Sequence, residues 1–133
     1  MSGAYYPIAR TLWTLAGSGL GTTLSGAGSA NSGAIDNTSV TDLWLAGYVA
    51  GTATGTTPTL DVQIDVQDPA GNWLAQVAKV TQLTSGPNYS TVSCGLHIAS
   101  TGSMVLPAAC RVTWTLGGTN PVFPQASISL VGR

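Results

Sequence analysis

Leu60-Asp61-Val62-Gln63-Ile64-Asp65-Val66-Gln67 alternates apolar and polar side chains without a break. Successive side chains on a β-strand point to opposite faces, so Leu60, Val62, Ile64 and Val66 share one face and the polar four share the other. The run predicts a half-buried strand with one wet face. Asp68-Pro69-Ala70-Gly71-Asn72 follows, where Pro fixes φ and Gly and Asn tolerate positive φ. Trp73 to Val80 is strand-like again, so 60–67 and 73–80 read as an antiparallel hairpin closed by a five-residue loop.

The same pattern recurs on either side. Val92, Cys94, Leu96 and Ile98 alternate with polar or small residues, as do Cys110, Val112, Trp114 and Leu116, and then Ala126, Ile128 and Leu130. Ile8 to Leu15 and Thr41 to Val49 are apolar enough for strands, the second with both faces buried. Turn-forming clusters separate the runs at 85–88, 100–103 and 117–121. No stretch sustains a 3.6-residue period. The expectation is one all-β domain over 1–133, an antiparallel β-sandwich of jelly-roll-like or Ig-like form with little or no helix. Val62, Ile64, Val112 and Trp114 are assigned to its core, and Trp73 to one end of the sandwich.

Residues 16–34 differ. They hold glycines 17, 19, 21, 26, 28 and 33 among serines and threonines, and read as a flexible loop or arm. Preceding them are Tyr5, Tyr6 and the short apolar run with Leu12, Trp13 and Leu15. Those five side chains are the candidate anchors by which the arm would add to a neighbouring sheet edge.

Charge is scarce. The 133 residues include four basic and five acidic side chains, no Glu, one His and a net charge of −1. Soluble domains usually carry about a quarter charged residues. A surface this neutral repels its own copies weakly and resembles an interface more than a free exterior. The scattered cations do not form a nucleic-acid footprint. No signal peptide is visible in Met1 to Pro7, and no apolar run reaches the ~20 residues of a membrane span. Synthesis in a cytoplasm is expected.

Catalytic and metal chemistry need ionisable groups that converge. His97 is the single imidazole and no G-x-S-x-G elbow is present, so a hydrolase or lyase is not expected. Asp61 and Asp65 share a strand face but stand about 13 Å apart, beyond a catalytic carboxylate pair; they read as solubilising or interfacial. Asp68 with Asn72 lacks the further carboxylates of a calcium loop. Cys94, Cys110 and His97 fall one ligand short of a zinc site. The two cysteines read as buried thiols, with a cross-strand disulfide left open. No cofactor is expected. Trp44 and Tyr48 share a strand face and form a candidate stacking platform.

Residues 60–133 resemble the small decoration and minor structural proteins of tailed bacteriophages that infect actinobacteria. Leu60 to Trp73 looks like their apolar alternation followed by Asp-x-x-Gly-x-Trp. Arg111-Val112-Thr113-Trp114-Thr115-Leu116-Gly117-Gly118-Thr119-Asn120-Pro121 looks like their R-V-x-W-x-x-G-G-T-x-P strand and turn. The resemblance implies a virion structural protein, most simply a capsid decoration protein that binds the major capsid protein on the outside of the assembled head and cements it. The low charge and the neutral outer faces of the alternating strands point to a homo-oligomer, with a trimer favoured by analogy. The alternative the resemblance leaves is a tail or receptor-binding module, including a carbohydrate-binding one, using Trp44, Tyr48 or Tyr89.

Overall fold

The computed structural model describes residues 8–15, 21–98 and 104–133. It is all-β and antiparallel, with no helix among the described residues. The strands are β1 (Arg10–Leu15), β2 (Thr22–Ser25), β3 (Gly28–Asn31), β4 (Ile35–Asp36), β5 (Asp42–Val49), β6 (Thr54–Gln67), β7 (Trp73–Lys79), β8 (Asn88–Gly95) and β9 (Ala109–Gly132).

β9 is the spine. Trp114 lies opposite Val62 of β6 and Ala30 of β3, and Leu130 lies opposite Leu45 of β5 and Trp13 of β1, so the spine is paired on both edges. Along one edge run β4, β3, β2 and β1 in turn. Along the other, β6 covers 109–122 and β5 covers 126–132, joined where the Ala50 and Gly51 amides donate to the carbonyls of Gln125 and Pro124. β7 extends β6 and β8 extends β5, giving the order β7-β6-β9-β5-β8.

The spine bends in its middle and folds its two halves face to face. Gly118, Asn120 and Gln125 of β9 and Gly55 and Thr57 of β6 all have positive φ, and the β6–β9 register shifts twice between Thr54 and Thr59. Bulges of this kind turn a strand without ending its ladder. The turn expected at 117–121 is therefore a correction: Gly117 to Pro121 bends one strand instead of reversing the chain between two. Folding over brings the outer strands β7 and β8 near each other, so the sheet nearly closes into a barrel.

The inner faces form one core. Leu43, Leu45 and Val49 of β5, Leu60, Val62 and Ile64 of β6, and Cys110, Val112, Phe123, Ile128 and Leu130 of β9 are all buried. Each large aliphatic side chain removed from water in this way contributes about 1.5–3 kcal/mol. Burial of Val62, Ile64 and Val112 follows the sequence reading, whereas Trp114 is half-buried and packs on the rim of the core. The 60–67 and 73–80 hairpin forms with Gln67 opposite Trp73.

Three further expectations change. β5 is not buried on both faces: Leu43, Leu45, Gly47 and Val49 point inward while Trp44 and Tyr48 are exposed. β8 stops at Gly95 rather than Ile98, because Gly95 takes φ 143° and the next amides turn away to Thr41 and Asp42. In the Gly/Ser-rich stretch, residues 16–20 lie outside the described residues, but Thr22–Ser25 and Gly28–Asn31 are strands and not loop. Glycine lowers strand propensity, but a continuous unpaired edge on β9 supplies main-chain hydrogen bonds that outweigh it.

A candidate binding surface on the outer sheet face

The outward side chains of the β8-β5-β9 half are set by the alternation of β5. With Leu43, Leu45 and Val49 inside, Trp44, Ala46 and Tyr48 must face out. Tyr48 lies directly opposite Tyr89 of β8, Ala46 opposite Thr91, and Trp44 opposite Ser93. On the β9 side the same three residues face Ser127, Ser129 and Val131. Trp44, Tyr48 and Tyr89 are 41%, 46% and 68% exposed. The result is a face carrying aromatic rings among small and hydroxyl side chains, without a charged residue at any of these nine positions.

At the Trp44 end the face opens into a cavity of about 490 Å³ lined mainly by apolar atoms and including Leu43, Ile98, Val131 and Arg133. Its lining also includes Ser93 and Asp42, the latter a buried carboxylate. Asp42 accepts the His97 amide at 2.9 Å, the His97 Nδ1 contact at 3.0 Å and Arg133 Nε at 3.3 Å. Burial works against its ionisation, but the hydrogen bonds from His97 and Arg133 outweigh it and hold the carboxyl below its ordinary range. His97 is thus a turn residue tied to Asp42, not a strand residue as the sequence suggests.

The opposite half of the sheet carries a second polar cluster, centred on Asp65. The sequence reading places Asp65 on a wet face; the structure buries it, at 1% exposure. Its Oδ1 accepts Gln63 Nε2 (2.8 Å) and the Gln76 amide (3.1 Å), and its Oδ2 accepts Thr113 Oγ1 (2.7 Å) and Arg111 Nε (3.0 Å). A bulge in β7, where Gln76 takes φ 57°, turns that amide onto the carboxylate. Arg111 also lies over the Trp73 ring, 4.5 Å from its centroid, so Trp73 covers this cluster and does not plug the sandwich end. Burial raises the Asp65 pKa, and the bonds from Gln63, Thr113, Gln76 and Arg111 lower it further than burial raises it.

The remaining carboxylates are also engaged within the chain. Asp61 pairs with Lys79 at 3.0 Å and accepts Gln82. Asp68 closes its own turn through the amides of Ala70 and Asn72, and Asp36 accepts the Thr38 amide. Among the described residues no three metal-ligating side chains converge. Cys94 and Cys110 are buried free thiols, with Cys110 Sγ 2.8 Å from Asn37 Oδ1.

Of the five candidate anchors, Tyr5 and Tyr6 lie outside the described residues. Leu12, Trp13 and Leu15 are half-buried against the chain's own core, on a strand paired with its own β9. The pairing of Tyr48 with Tyr89 escaped the sequence reading because nothing local sets the β5–β8 register. No protein-family model matches the sequence, and comparison with curated proteins gives no match.

Proposed function

We propose that this chain is a non-enzymatic virion structural protein, most simply a decoration protein that docks on the outside of an assembled phage head. The observation that supports this reading is the uncharged aromatic face of Trp44, Tyr48 and Tyr89. Protein interfaces are enriched in Tyr and Trp and depleted of charge at their centres, and this face has both properties. The ionisable groups add support. All five carboxylates accept hydrogen bonds from their own chain, which suits scaffolding of a sheet and leaves little for acid–base chemistry.

The Trp44 cavity favours a second reading, a tail or receptor-binding module that stacks a sugar on Trp44 beside the polar groups of Asp42 and Arg133. Antibody labelling of virions under negative stain separates the two. Label over the head surface supports decoration, label at the tail supports the receptor reading, and absence of label from virions overturns both. Co-sedimentation with heads then tests the face: Trp44→Ala together with Tyr89→Ala should abolish head binding while the protein stays folded.

A further inference from the structure

We infer that the free edge of β3 pairs with the same edge of a second copy, joining two sandwiches through one continuous sheet. The inference deepens the structural reading above and rests on it for its biological sense, though its chemistry is separate from the aromatic face.

Monomeric β-proteins protect edge strands with charges, prolines or a covering segment. Among the described residues, this edge carries none of these. From Thr11 to Ile35 the sequence has neither a charged residue nor a proline. All four residues of β3 are exposed, and among the described residues β3 pairs with β9 alone. The opposite end of the sheet is different: β7 and β8 approach one another there, and Lys79 and Asp61 sit on the outermost pair.

The register identifies which groups are free. The Ser32 amide donates to the Val112 carbonyl at 2.9 Å, and Ala30 pairs with Trp114 two residues along. By the two-residue period, Ala30 turns its N–H and C=O toward β9, while Ser29 and Asn31 turn theirs away. A two-fold axis through Ala30 then sets Ser29 of one copy against Asn31 of the second copy as hydrogen-bonded pairs, four main-chain bonds in all. Ala30 meets its own counterpart in the close, non-hydrogen-bonded position. Small side chains make that approach feasible, and the absence of charge removes self-repulsion, so the occupant best matched to this edge is the edge itself. The contact is isologous and yields a dimer, where the family analogy points to a trimer.

Light scattering and sedimentation velocity on the full chain test this at about 100 µM, where a contact of micromolar strength is populated. Wild type should show twice the 13.4 kDa chain mass. Ala30→Lys and Ala30→Asp should each lose the dimer, since like charges then meet across the axis, and an equimolar mixture should regain it at low salt. Ser29→Pro should also give a monomer, with its circular dichroism spectrum unchanged, because the Ser29 amide is not used by β9. A wild-type monomer or trimer overturns the proposal, as does a dimer that persists in Ala30→Lys or a mixture that fails to associate. Dimerisation lost only with Trp44→Ala would assign the contact to the aromatic face. A monomeric chain that still labels heads would sink this inference and leave the proposed function standing.

Discussion

Trp13 and Trp114 stack with ring centroids 5.7 Å apart and planes 23° from parallel. Trp13 belongs to β1, on the second half of the spine, and Trp114 to the first half, so the pair clasps the folded sheet on the side away from β7 and β8. Each ring is half-buried, which places the expected loss for Trp13→Ala or Trp114→Ala at about 2–4 kcal/mol, toward the lower end for a large-to-small change. A double-mutant cycle by urea denaturation should return a coupling of about 0.5–1.5 kcal/mol for the stacked pair. Additive losses would mean the rings stabilise the two halves independently.

Asp65 should contribute to the acid limb of stability. Its carboxyl is lowered in the folded state, so its contribution is present above the unfolded value of about 3.9 and is lost as pH falls through the folded value. Asp42 is shifted in the same direction and adds to the limb. Asp65→Asn should flatten the fall in stability below about pH 4. Arg111→Met, which leaves the carboxylate buried with one cation fewer, should cost about 3 kcal/mol at neutral pH. Chemical denaturation from pH 2 to 7 measures both. An unchanged acid limb in Asp65→Asn would assign the pH dependence to other groups.

The position of Asp65 marks where sequence reading reached its limit. Alternation in Leu60 to Gln67 was enough to fix the strand, its inner face and the hairpin with β7, because those follow from a period of two. It could say that Asp65 faces away from the core, but not that a bulge at Gln76 and a stacked Arg111–Trp73 pair would close over it. Likewise the turn-like composition of Gly117 to Pro121 is real, yet whether such residues reverse a strand or bend it depends on what pairs alongside. Here β6 runs through the bend with its own positive-φ residues, Gly55 and Thr57. Strands β2 and β3, inside the Gly/Ser-rich stretch, were illegible for the same reason: their partner residues on β9 lie about 82 to 104 positions away. The aromatic face was half legible, since Trp44 and Tyr48 share a strand, while Tyr89 joins them only through the β5–β8 register.

Cys94 and Cys110 should behave as inert thiols in the folded protein. Burial pushes Cys94 up to about 11, with the nearby Asp42 charge adding to it. Burial pushes Cys110 up to about 12, against the opposing hydrogen bond to Asn37. The thiolate is the reactive species, so a disulfide-exchange reagent at pH 8 should label neither cysteine until denaturant is added, and both thereafter. Rapid labelling of the native protein would show that these strands open far more often than their burial implies.

The bend in the spine can be tested at a single glycine. Gly118 adopts φ 95°, and a Cβ there would stand 2.4 Å from the Thr57 carbonyl oxygen. Alanine would meet two separate penalties, a left-handed backbone and a collision with main chain that cannot rotate away. Gly26 separates them. Its φ is 83°, but nothing lies within 4 Å of where its Cβ would be. Gly26→Ala should therefore cost only the conformational part, about 1–2 kcal/mol. Gly118→Ala should exceed it by at least about 1 kcal/mol, since β6 must shift to admit the methyl group. Thermal and urea unfolding of both variants give the comparison. Equal losses would mean that β6 and β9 separate at the bend with little resistance, and that the packed inner faces, not the paired strands at the corner, hold the two halves together.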